Sequence, residues 1–270
     1  MAAPERANPI VIGERINPCG NPRLAARLAA GDWDAVDEEA RAQAAAGADL
    51  LDVNGALPAN GGSEHASLFE MIDRAERAAD LPLVIDSRHA WILVQAAERV
   101  RRPPILSSLA ATREALERWL PELARTGAPV VGLAIDEGGV PAGAAERFAC
   151  AESFVRAGLA LGMPLEHLIV DCVALPGGEE PVAANAPALD AMRLVSTRLG
   201  APLILGISNV SHGAPTTREH RRRAAAFLVA ALDAGLDYAI VNPLDEKIRS
   251  MLPAARRERG QAARSHERPA

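Results

Sequence analysis

The chain of 270 residues has a single lysine, Lys247, so any chemistry that needs a lysine amine has one candidate. Aromatic residues make up only 3%, so a core here must be packed from Leu, Val, Ile and Ala. The three cysteines, Cys19, Cys150 and Cys172, lie at neither a metal-binding nor a disulfide spacing. No apolar run approaches the ~18 residues that a membrane span needs. The opening MAAPERANP lacks the apolar segment of a secretory signal. The chain therefore reads as cytoplasmic, with no membrane partner. Net charge is −6 with no basic tract in the part expected to fold, which weighs against a nucleic-acid partner. Histidine is scarce where it would ligate a metal: His89 and His212 follow apolar runs without closing them, so no tightly bound metal is expected. A Mg²⁺ ion between Asp86 and Asp171 is chemically allowed, since hard cations take oxygen ligands, but ranks below an organic ligand.

What is present is a repeated pattern. Apolar runs end in a polar residue and are followed by a helical periodicity: Ile10–Ile16 into Asn17, Leu50–Val53 around Asp52 and Asn54, and Leu83–Ile85 into Asp86. Then come Pro104–Leu106 into Ser107, Val130–Ile135 into Asp136, and Leu168–Val170 into Asp171. The last two are Leu203–Ile207 into Ser208-Asn209 and Ala239–Val241 into Asn242. Eight such units predict a (β/α)8 TIM barrel, with its site at the C-terminal ends of the strands. The length matches the roughly 250 residues typical of one such barrel. Residues 1–9 read as an irregular lead-in, 10–255 as one barrel, and 256–270 as a charged, disordered tail.

Some local features admit two readings. Glu14 and Arg15, inside the first strand, read best as a structural ion pair. Asp52 is either a mouth residue or a buried partner of Arg15, and Asp136 either faces the mouth or caps the helix that follows. The first helix is expected to run from the turn Asn17–Pro22 to Ala46, with Gly47 closing it. Trp33, Trp91 and Trp119 fall in helical segments and read as outer packing.

The predicted mouth is rich in carboxylates and carboxamides: Asn17, Asp52, Asn54, Asp86, Asp136, Asp171, Asn209 and Asn242. Such a set suits a ligand that presents hydrogen-bond donors. A pterin does so through its 2-amino group and adjacent ring N–H, and one carboxylate accepts both in a charge-assisted pair. Asn and Ser serve the other ring edges because they both donate and accept.

Gly13-Glu14-Arg15-Ile16-Asn17, Asp52-Val53-Asn54, Ile85-Asp86-Ser87, Asp171 and Gly206-Ile207-Ser208-Asn209-Val210-Ser211 resemble the motifs of the pterin-binding (dihydropteroate synthase-like) barrels. The similarity is greatest to methyltetrahydrofolate:corrinoid protein methyltransferases and the folate domain of cobalamin-dependent methionine synthase. It extends from about Ile10 to Asp245. The resemblance implies an enzyme of one-carbon metabolism that moves a methyl group from 5-methyltetrahydrofolate to cob(I)alamin, or the reverse. The cobalamin would be carried by a corrinoid-binding protein docking over the mouth, and the enzyme would be a homodimer. It implies that Asp86 and Asp171 hold the pterin's donor edge and that Asn209 reaches the methyl-bearing nitrogen. Asn209 and Asp171 are thus the catalytic candidates, while Asn17, Asp52 and Asn54 shape the pocket. Family members similar to this place an asparagine on strand four. Here the sequence is Ile105-Leu106-Ser107-Ser108, which sets Leu106 at the expected amide, with Ser107 as a substitute pointing the other way on a regular strand.

Two rivals remain. A dihydropteroate synthase would resemble this chain in fold, but its strand-seven lysine and its Ser-Phe-Ser-Asp loop after strand one are missing. A non-catalytic pterin-binding or scaffold subunit is the other, and Leu106 favours it.

Overall fold

The computed structural model describes residues 9–57 and 63–252. Eight parallel strands close on themselves in chain order: β1 (Ile10–Ile16), β2 (Leu50–Asn54), β3 (Leu83–Asp86), β4 (Ile105–Ala110), β5 (Val130–Leu133), β6 (Leu168–Asp171), β7 (Leu203–Gly206) and β8 (Tyr238–Val241). Closure is made by β1 against β8, with Ile10 to Gly13 opposite Tyr238 to Val241. The helices outside are α1 (Pro22–Ala29), α2 (Asp34–Ala45), α3 (Glu64–Ala78), α4 (Ala90–Arg99), α5 (Leu120–Arg125) and α6 (Ala144–Ala160). They continue with α7 (Pro181–Ala184), α8 (Ala186–Leu194), α9 (Thr217–Asp233) and α10 (Glu246–Met251). This is the (β/α)8 barrel that the repeated strand–helix pattern predicts.

Two apolar layers hold it. Side chains on a strand alternate between its two faces. The outward residues, such as Val11, Leu51, Val53, Ile85, Leu106, Val130, Val170 and Leu205, pack against the helices in one continuous cluster. The inward residues Ile12, Leu50, Val84, Ile105, Val131, Ile169, Ile204 and Tyr238 fill the barrel as a separate cluster, one from each strand. With so few aromatics, close approach replaces bulk. At Gly132 of β5 a Cβ would lie 2.3 Å from the Phe154 ring, so α6 sits on the sheet at a distance only glycine permits.

The first helix is not continuous. It breaks at Ala30–Trp33 into α1 and α2, and Gly31 takes φ 80°, a left-handed turn without steric cost for glycine. Two strands, β5 and β7, are shorter than their apolar runs, because the run continues into its loop after the ladder has ended. The expected lead-in (its first eight residues) and the tail lie outside the described residues. Among the described residues no helix is long and apolar enough to cross a membrane.

Candidate functional site

The inward residue two places further along each strand forms the next level up: Glu14, Asp52, Asp86, Ser107, Leu133, Asp171, Gly206 and Ile240. All eight line one cavity of about 510 Å³ at the C-terminal end of the barrel. Asn17, Ser208, Asn209 and Asn242 rise from the loops above and line it too. Of the residues expected at the mouth, Asn17, Asp52, Asp86, Ser107, Asp171, Asn209 and Asn242 therefore converge on one space.

Three expectations are corrected. Asp136 does not line this cavity; it closes the turn after β5, accepting from the Gly138 amide at 2.7 Å and bridging to Gly139. Asn54 stands beside the cavity rather than on its wall. Its amide donates to Asp86 Oδ2 at 2.8 Å, and its Oδ1 accepts from the Ala56 amide, so it orients Asp86. Leu106 is fully buried among the outward residues, against the helices. The strand-four position that faces the mouth is Ser107, so the departure from an amide-bearing strand falls on a hydroxyl already in the cavity.

Glu14 and Arg15 are not a pair either. As successive strand residues they face opposite sides. Arg15 reaches outward to Glu39 on α2 at 3.0 Å. Glu14 faces inward and accepts from the Ser208 hydroxyl at 2.7 Å, which ties β1 to the loop carrying Asn209. Asp52 accordingly lies among the carboxylates rather than beside Arg15. The strand alternation alone could have identified Glu14 as a mouth residue.

Burial dominates the electrostatics, because a carboxylate removed from water holds its proton more tightly. Glu14 is pushed up to about 7 by burial, opposed by the Ser208 hydrogen bond and the Arg15 charge. Asp171 is likewise raised to about 7 by burial, opposed by the Val173 amide and Arg147. Asp52 is raised well above the usual range by burial and then by the neighbouring Asp86 and Glu14. Asp86 is raised by burial, which its Asn54 hydrogen bond counters. Glu14, Asp52 and Asp86, on adjacent strands, therefore cannot all be ionised cheaply.

The rim holds residues that the strand pattern does not mark. Ile207–Ser211 forms a short 3₁₀ turn after β7, and the Ser211 hydroxyl ties back to the Ser208 carbonyl at 2.8 Å. His212, Thr217, His220 and Arg221 come from this loop and the start of α9 and line the same cavity. Arg221 pairs at 2.8 Å with Asp245, the residue that caps α10.

A closed barrel with its polar residues gathered at one mouth is a ligand-binding barrel. The chain belongs to the family described as pterin binding enzyme, whose model matches residues 13–242. It is 26% identical to methionine synthase from Mycobacterium leprae (strain TN) over 249 residues, covering 88% of this chain and 20% of that protein. The chain thus spans about a fifth of that relative's length. It is 25% identical to methylcorrinoid:tetrahydrofolate methyltransferase from Eubacterium limosum, covering 87% of this chain and 85% of that one. Among solved structures, dihydropteroate synthase from Thermus thermophilus superposes with a TM-score of 0.66 at 20% identity, covering 91% of this chain and 92% of its own. That likeness establishes the fold.

Proposed function

We propose that this protein transfers a methyl group between the N5 position of a tetrahydrofolate and a corrinoid carried by a separate protein, in either direction. The observation that carries the reading is the convergence of Asp86, Asp171, Ser107 and Asn209 on one cavity, within a chain that matches a methylcorrinoid:tetrahydrofolate methyltransferase over most of both lengths.

The donor set fits a pterin. Asp171 and Asp86 accept from its amino and ring N–H groups, and Asn54 aims Asp86 by holding one of its oxygens. The corrinoid, when docked, supplies the nucleophile that takes the methyl group. What this chain must manage is the nitrogen left behind. As the carbon–nitrogen bond breaks, the bonding pair stays on nitrogen, and a tertiary amine is a poor leaving group unless a proton or hydrogen bond arrives in the transition state. Asn209 orients that nitrogen. Glu14 is the group suited to hold the proton: it sits next to the Asn209 loop through Ser208, and its pKa of about 7 matches neutral operation. Asp52, between Glu14 and Asp86, shares that proton store.

A dihydropteroate synthase is less well supported: the only lysine is Lys247 on α10, and the β7 end carries Ser208 and Asn209 in its stead. The test is a calorimetric titration with methyltetrahydrofolate followed by turnover with free cob(I)alamin. Binding with methyl transfer is expected. Binding without transfer would favour a non-catalytic pterin-binding subunit, and no binding would end the reading.

A further inference from the structure

The end of β6 is built in an unusual way. Asp171 closes the strand, and Val173, two residues on, adopts φ 61°. A β-branched side chain in the left-handed region is strained, and such strain persists only where the surroundings impose it. Here they do. Arg147, on α6, is buried with 4% exposure. Its Nη1 donates to the carbonyls of Cys172 at 2.8 Å and Val173 at 2.6 Å, and its Nε donates to the Pro141 carbonyl at 2.8 Å. Its partners are thus backbone carbonyls rather than a carboxylate. In the turn it holds, the Val173 amide donates to Asp171 Oδ1 at 2.7 Å, leaving Oδ2 as the oxygen available to the cavity.

We infer that Arg147 is a positioning residue that acts through Asp171: it locks the Cys172–Val173 turn so that one carboxylate oxygen is held on the Val173 amide and the other is presented to the ligand. This rests on the proposed pterin site. A glycine at 173 would make the same turn without strain, so a fold needing only a turn has no use for a buried guanidinium here. The cation has a second effect. Among the groups around Asp171, Cys172 lies beside it and Glu14, Asp52 and Asp86 face it across the cavity; Arg147 is the one whose charge opposes burial and eases ionisation of Asp171.

The experiment compares wild type with Arg147→Met and Arg147→Lys, titrating methyltetrahydrofolate across the neutral pH range and following deuterium exchange of the Val173 amide. Loss of the cation raises the Asp171 pKa, so in Arg147→Met the pH below which binding fails moves upward. Arg147→Lys keeps the charge but not the fork, so its pH midpoint stays near wild type while affinity falls and Val173 exchanges faster. Should Arg147→Met fail to fold, Arg147→Lys alone decides. Wild-type affinity, pH midpoint and Val173 protection in a folded variant would overturn the inference. If wild type itself binds no folate, the functional reading falls, and with it the assigned purpose of Arg147, even if Val173 exchange still responds.

Discussion

Two levels of the barrel interior lie two residues apart on the same eight strands. The lower one, from Ile12 through Ile169 and Ile204 to Tyr238, is apolar nearly throughout. The upper one replaces those side chains with four carboxylates, a hydroxyl and a glycine, and keeps only Leu133 and Ile240 apolar. Backbone geometry and strand direction are shared, so the difference is one of chemistry. Burial of apolar surface below stabilises the barrel by roughly 25 cal/mol per Å². Burial of carboxyl groups above costs stability, and their raised pKa values measure that cost. The mouth is thus tolerated on a foundation that the lower layer and the sheet–helix layer provide.

The sharpest break of this comparison places mouth chemistry in a packing layer. Leu106 and Ser107 are neighbours in sequence, yet one faces the helices and the other the cavity. Leu106→Asn removes a buried isobutyl group and leaves an amide without partners. It is expected to cost about 4 kcal/mol or more in urea unfolding. A loss below ~1 kcal/mol would mean that the strand-four facing is reversed.

The next effect is on stability against pH. Glu14 and Asp171 rise from ordinary values of 4.5 and 3.8 to about 7 in the folded state. The native protein therefore binds more protons than the unfolded chain between those limits, and its stability must fall as pH rises through the window. The contribution is fully present below about pH 4 and is lost by about pH 7, amounting to ~3 kcal/mol from Glu14 and ~4 kcal/mol from Asp171. Asp171→Asn should flatten this pH dependence by the share Asp171 contributes beside Glu14, Asp52 and Asp86. A slope unchanged in the variant would show that Asp171 is solvated like any surface carboxyl.

Much of this arrangement is legible because polar residues interrupt apolar runs at a fixed place. Asp86, Asp171 and Asn209 can be placed at one mouth from that alone. The misplacements have a common cause, which is that proximity in sequence outweighs the alternation of strand faces. Pairing Glu14 with Arg15 overlooks that adjacent strand residues diverge, and a ligand role for Leu106 is one that its parity assigns to Ser107. Asp136 misleads for another reason: its apolar run outlasts the ladder, so the residue at the end of the run is not at the end of the strand. The rim residues His212, His220 and Arg221 lie on a loop and a helix, where no strand periodicity marks which side chains turn back over the barrel.

At the mouth, Asp171 of the upper level and Asn209 of the loop above it are expected to fail differently. In the proposed function, Asp171 meets a pterin edge that is alike in ground and transition states. Asp171→Ala should therefore weaken methyltetrahydrofolate binding by about 1.5–3 kcal/mol and raise KM more than it lowers kcat. Asn209 is there assigned to the nitrogen whose charge changes, so Asn209→Ala should lower kcat by about 100-fold. Steady-state kinetics on both variants would refute the assignment if the two profiles coincided.

The smallest effect concerns Ser107, whose hydroxyl faces the mouth beside Leu106, the position at which an amide is expected. Its side chain already faces the cavity, so Ser107→Asn adds a donor and an acceptor where the ligand lies, without entering a packing layer. A pterin offers acceptors in its ring nitrogens and carbonyl as well as donors, and an added amide can serve either. An added amide should supply one net hydrogen bond, about 0.5–1.5 kcal/mol, or roughly a threefold to tenfold gain in affinity. Ser107→Ala should lose a comparable or smaller amount, since water can replace a hydroxyl in an open mouth. Calorimetry with methyltetrahydrofolate reads both. Weaker binding in Ser107→Asn would mean that the space beside β4 is filled by the ligand, so that the serine is a fitted contact rather than a shortened one.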